Sequence, residues 1–177
     1  MKLVWIGAHS KNFHAGRSGG MKPEMIVIHL MDGEHIEGCD AWFNNPAAVV
    51  SAHYGIAQDG RVHQYVKEED TAYHTGRVVS PSAKLPHPGI NPNAYTIGIE
   101  HAGVPTDVWT DAMYEASAAL IAEISTRWSI PLDRAHIVGH HEIYAPKVCP
   151  GPHCDLDRLI LEAKAAEITP VTSKYPL

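Results

Sequence analysis

The chain has 177 residues, 45% hydrophobic and 19% charged, the balance of an ordinary globular domain long enough to bury one core without disulfides. Its net charge of −6 leaves no basic stripe to neutralise phosphates, which argues against a nucleic-acid partner. No apolar run approaches the roughly 18 residues that span a bilayer, so membrane insertion is not expected.

In chain order, the apolar part of Met1–Ala8 is too short for a signal peptide. His9 to Gly20 is rich in Gly, Ser, His and Asn and reads as a surface arm or loop. Glu24 to Met31 is a continuous apolar run of strand length, the pattern of a strand covered on both faces, yet it carries His29 near its end. A short helix is expected over Asp40–Asn44, before Pro46. Ser51–Ala57 and Arg61–Val66 flank Asp59-Gly60, a strong hairpin signal. Thr75–Asn93 carries Pro81, Pro86, Pro88 and Pro92 and reads as a long loop, here expected to wall a binding cleft.

Thr96–Ala102 is a second apolar strand, with Glu100 and His101 near its end. The clearest helix follows. Trp109, Met113, Ala116, Leu120, Ile124 and Trp128 recur every three or four residues, with Thr110 as N-cap and Pro131 past the end. Ala135–Gly139 reads as a last strand, and Asp155 as the cap of a final helix whose Leu156, Leu159, Ile160 and Ala163 share a face. The pattern has no repeat and no linker. It predicts one α/β domain, a mixed central β-sheet flanked by helices, acting as a monomer.

Three places put metal-binding side chains at the ends of apolar strands: His29, Gly139-His140-His141-Glu142, and Lys147-Val148-Cys149-Pro150-Gly151. Singly, a histidine in an apolar strand is more often a hydrogen-bonded core residue, and a cysteine a small buried hydrophobe. Together, two imidazoles and a thiolate form a three-donor set that leaves a fourth position open, and they suit zinc better than magnesium or calcium. The His-Glu-x-x-His pattern is absent, because Ala145 stands where its second histidine belongs. The three cysteines, Cys39, Cys149 and Cys154, are too few and odd in number for a disulfide framework. A closed structural site from His140, Cys149, His153 and Cys154 is an alternative.

Five motifs then stand in order: Ile26-Val27-Ile28-His29; Ser51-Ala52-His53-Tyr54 before Asp59-Gly60; Ala72-Tyr73-His74-Thr75-Gly76; Ile97-Gly98-Ile99-Glu100; and Gly139-His140-His141-Glu142 leading to Lys147-Val148-Cys149-Pro150-Gly151. Over Pro23–Leu159 the chain resembles the zinc-dependent N-acetylmuramoyl-L-alanine amidases, which include phage endolysins and bacterial wall-recycling enzymes and share a fold with the peptidoglycan recognition proteins. The resemblance implies a catalytic domain over residues 23–168, after an arm or loop (1–22) and before a flexible tail (169–177). It implies one zinc ion on His29, His140 and Cys149, with His140 preferred to His141 because it directly follows the glycine. It implies Glu100 and Lys147 as catalytic residues and His74 as a substrate contact. Some relatives carry a tyrosine where Ala52 stands, which places the catalytic expectation on Glu100. The implied partner is bacterial peptidoglycan. The preferred role is a phage endolysin held in the host cytoplasm until release, with a cytoplasmic recycling enzyme also compatible. The rival is a non-catalytic peptidoglycan receptor on the same fold, whose members typically lack the cysteine.

Overall fold

The computed structural model describes residues 2–168, so the expected tail over 169–177 lies outside the described residues. In chain order the elements are β1 (Leu3–Trp5), β2 (Phe13–His14), β3 (Met25–Leu30), α1 (Ile36–Asn44), β4 (Tyr54–Ile56), β5 (Val62–Gln64), β6 (Thr71–Ala72), β7 (Thr96–His101), α2 (Asp111–Trp128), β8 (Ile137–Gly139) and α3 (Leu156–Ile168). Six strands form one mixed sheet in the order β1-β5-β4-β7-β3-β8, and β2 and β6 form a small antiparallel ribbon.

The sheet centre is β3, hydrogen-bonded in parallel to β7 on one side and β8 on the other. All six of its residues are buried, which is why its sequence shows no polar alternation. The alternation exists in the pleat nonetheless. Ile26 and Ile28 join Ile97, Ile99 and Ile137 under α2 and α3 in the main core. Met25 and Val27 face the other way, into a smaller cluster with Tyr95, Val138 and Ile143. β4 and β5 form the expected antiparallel hairpin, and Gly60 takes φ +82° in its turn, a conformation open to glycine.

α2 runs over the expected residues. The Thr110 hydroxyl accepts from Met113 N–H at 3.1 Å, and Ser129 closes the helix in the left-handed conformation. It buries Met113, Leu120, Ile121 and Ile124 on the sheet and against α3, each contributing roughly 1.5–3 kcal/mol of apolar burial. Asp155 caps α3 as expected, accepting from Arg158 N–H at 2.9 Å. α1 begins four residues earlier than expected, because Ile36, Cys39 and Phe43 form its buried stripe despite Gly38 in the first turn.

Residues 2–22, expected as an arm or loop, carry β1 and β2 and are laced to the rest of the domain. β1 extends the sheet in parallel with β5, and Asn12 is fully buried, its amide donating to the Phe43 and Asn45 carbonyls. Arg17 donates to the carbonyls of Glu68, Asn93 and Thr96 at 2.7–3.1 Å. That ties this stretch to the loop before β7.

Candidate active site

Side chains alternate along a strand, so His29 shares the face of Met25 and Val27, opposite the helices. The parallel register sets Glu100 beside His29 and Gly98 beside Val27. On the other flank β8 stops at Gly139, and a 3-10 turn over His140–Glu142 brings the His140 ring to 4.5 Å from that of His29. Glu142 holds this turn, accepting from Gly139 N–H at 2.7 Å and, through both carboxylate oxygens, from Arg134 Nη2 at 2.9 Å. The chain then folds back. His141 N–H donates to the Cys149 carbonyl at 3.1 Å and its ring Nδ1 lies 3.0 Å from the same oxygen, which returns Cys149 to the strand end.

The outcome is a cluster at the carboxyl ends of parallel strands, where α/β sheets place their ligands. Donor atoms of His29, His140 and Cys149 all lie within 4.8 Å of one another, and all three residues are buried. Among the described residues this is the one group of three or more such side chains close enough to hold a metal ion. His140 rather than His141 enters it. Cys39, Cys154 and His153 lie outside it, which removes the closed four-donor site.

Electrostatics suit a metal. Burial pulls His29 well below the ordinary imidazole value and brings His140 to about 4, with the Lys147 charge adding to the effect, so both rings are neutral with a lone pair to offer. Burial, then Glu100, raises the Cys149 thiol to about 11, so a metal must displace its proton to bind the sulfur. Glu100 has a carboxylate oxygen, Oε2, that is buried without a partner. Burial raises this group to about 7, against the pull of Lys147. An unpaired buried carboxylate is unfavourable for stability, which makes Glu100 a candidate for chemistry. Lys147 is exposed, with no side-chain hydrogen bond or ion pair to any described residue.

His74 lies on the other side of His29, its Nδ1 3.0 Å from His29 Nε2. Its ring occupies the space above Gly98, where a Cβ would fall 2.5 Å from Nδ1. A glycine inside an apolar strand is a sequence signal for such an approach. The Thr75 and Thr96 hydroxyls, which the sequence reading did not single out, both contact this ring. His53 is structural: it is fully buried and its Nδ1 accepts from Gly98 N–H at 3.0 Å.

The long loop up to Asn93 is bound to the segment that carries His140 and Cys149. Val79 bridges Tyr144, Ser82 and Ala83 N–H groups donate to the Glu142 carbonyl, and Arg77 stands 5.7 Å over the Tyr144 ring. Val78, Val79 and Val148 remain exposed along this rim.

Residues 19–152 match the family model described as N-acetylmuramoyl-L-alanine amidase. The chain is 38% identical over 129 residues to N-acetylmuramoyl-L-alanine amidase A of Achromobacter lyticus, covering 71% of this chain and 63% of that relative. It thus spans less than two thirds of that relative's length. It is 35% identical over 164 residues to the 1,6-anhydro-N-acetylmuramyl-L-alanine amidase AmpD of Enterobacter cloacae, covering 82% and 83% of the two chains. The crystal structure of a Se-Met AmpD derivative superposes with a TM-score of 0.74 at 28% identity, over 90% of this chain and 93% of that one.

Proposed function

The chain belongs to the N-acetylmuramoyl-L-alanine amidase family, and on that premise we propose that it hydrolyses the amide between the lactyl group of N-acetylmuramic acid and the first L-alanine of the stem peptide, using one zinc ion held by His29, His140 and Cys149. The observation that carries the reading is the convergence of three buried donors within 4.8 Å, with the unpaired Glu100 carboxylate on the adjoining strand.

The donors fit the ion: two neutral imidazoles and a thiol suit zinc, with one position left for water or substrate. When bound, zinc supplies Lewis acidity, polarising the scissile carbonyl and making water a competent nucleophile near neutral pH. Glu100, held near pH 7, takes the proton that the attacking water loses and returns it to the nitrogen as the C–N bond breaks. The products are a free muramyl carboxylate and a stem peptide with a new N-terminal alanine. Lys147, whose charge acts on Glu100 and His140, is the cation in this reading that stabilises the negative charge the carbonyl oxygen gains; removing such a partner typically costs about 10²–10³ in turnover.

Two biological roles use this chemistry. Cleavage of intact wall as a phage endolysin was the expectation from sequence. The name of the Enterobacter relative specifies a 1,6-anhydro-muramyl substrate, and that likeness favours a recycling role on small anhydro-muropeptides. Incubating the protein with purified sacculi and, separately, with anhydro-muropeptides distinguishes them. New N-terminal alanine without new reducing sugar, abolished by a zinc chelator and restored by zinc, is the expected result on at least one substrate. Retention on sacculi with release from neither substrate would replace the enzyme by a receptor.

A further inference from the structure

His74 was expected to touch substrate, but its ring nitrogens are engaged inside the protein, in a chain of hydrogen bonds that runs one way. The chain begins at the Pro92 carbonyl, which can only accept. The Thr96 hydroxyl lies 2.8 Å from it and donates its one proton there. The Thr96 oxygen is left as an acceptor toward His74 Nε2 at 3.2 Å, so Nε2 carries the ring proton. A neutral imidazole protonated at Nε2 has a lone pair at Nδ1. His74 Nδ1 therefore accepts, and the donor 3.0 Å away is His29 Nε2–H. The Thr75 hydroxyl, beside the same Nδ1 and 3.4 Å from His29 Nε2, donates to the first and accepts from the second, which preserves the direction.

Fixing the proton on His29 Nε2 leaves His29 Nδ1 as its only lone pair. We propose that His74 is a positioning residue: through the Pro92–Thr96–His74 chain it sets the tautomer and ring angle of His29, so that His29 offers Nδ1 to the metal. This rests on the zinc reading above. Partners of this kind that hold a ligand's second nitrogen govern affinity as well as geometry, and their loss typically weakens metal binding about 10–100-fold. The fold invests two neighbours in the arrangement, since Gly98 has no side chain to displace the ring and Asn93 Oδ1 accepts from the backbone N–H groups of His74 and Thr75 at 3.2 and 2.7 Å.

The experiment compares wild type with His74→Phe and Thr96→Val. Zinc dissociation constants come from competition with a chromophoric chelator, and histidine tautomers in the zinc-free proteins from long-range ¹H–¹⁵N correlation spectra. Circular dichroism melts confirm that each variant is folded; Thr96→Val, which removes one oxygen at nearly constant shape, serves if His74→Phe is not. Wild-type His29 is expected as the Nε2–H tautomer. The variants are expected to bind zinc about 10–100-fold more weakly, with wild-type kcat recovered in excess zinc. A substrate contact predicts the opposite split, a raised KM with unchanged zinc affinity, and that result overturns the proposal, as does an Nδ1–H tautomer in wild type. Wild type that binds no zinc at all overturns the zinc reading itself, and is told apart by that first titration.

Discussion

Glu100 stands in register with His29 across the β3–β7 parallel pair, so the candidate proton carrier and the candidate metal ligand issue from adjacent strands on the same face. Neither depends on a loop for its position, and such strand-borne sites hold their geometry closely.

That arrangement predicts what Glu100→Gln does. The amide keeps the shape and removes the proton acceptor, so turnover on the preferred substrate falls by about 10²–10⁴. Stability stays level or rises, because the buried Oε2 has no partner to lose. Assays of N-terminal alanine release beside thermal melts check both halves. Retention of a tenth or more of the activity would remove Glu100 from the proton transfer.

Zinc binding to the folded state alone raises stability by mass action, about 2.7 kcal/mol at a free ion concentration one hundred times the dissociation constant. A zinc-dependent rise in melting temperature is expected for wild type and should be largely lost in Cys149→Ser, which exchanges the buried thiol for a hydroxyl. Equal shifts in the two proteins would place the ion elsewhere.

Gly98→Ala would bring a methyl carbon to 2.5 Å from His74 Nδ1. The ring must move, and crowding of this sort costs about 1–3 kcal/mol. The variant should unfold at lower urea and bind zinc more weakly than wild type, although residue 98 contributes no donor. Loss of stability with zinc affinity intact would show that the strand, not the ring, yields.

Acid should unfold the zinc-free protein earlier than its carboxylates alone dictate. His53 and His101 are both fully buried, and burial holds His101 at about 3 and His53 well below the ordinary value. In the unfolded chain both bind protons near pH 6.5. Their stabilising contribution is therefore complete above pH 6.5 and declines as pH falls toward the folded values, by about 1.4 kcal/mol per pH unit for each ring. Urea midpoints measured from pH 7.5 to 5 test this; a flat profile contradicts it.

Much of the molecule was legible from sequence because its strongest signals are local. α2 announces itself through apolar spacing and the Thr110 cap, and the β4–β5 hairpin through Asp59-Gly60. His29 was conspicuous because a polar residue in a fully buried strand needs an explanation. The choice of His140 over His141 came from the motif, and the turn after Gly139 supplies the physical reason. What stayed hidden is long-range or main-chain. The β1–β5 pairing leaves no periodic trace in three residues, and the Thr96–Pro92 bond that directs the His74 proton ends on a carbonyl, which every residue has. Strand ends were also overread: residues 51–53 and 57 lie outside β4, although His53 and Ala57 still hydrogen-bond to neighbouring backbone at its two ends.

Arg17 has a consequence for where this protein can be cut. The span of family likeness begins at residue 19, two positions after the guanidinium that holds the Glu68, Asn93 and Thr96 carbonyls, and it ends at 152, before α3 and its fully buried Leu159 and Ala163. A fragment trimmed to 19–152 would keep every proposed zinc ligand and both proposed catalytic side chains, yet lose the clamp behind β7 and one wall of the core. The stretch that the family model matches is thus shorter than the stretch that folds, and shortening this chain for crystallography or delivery should respect the second.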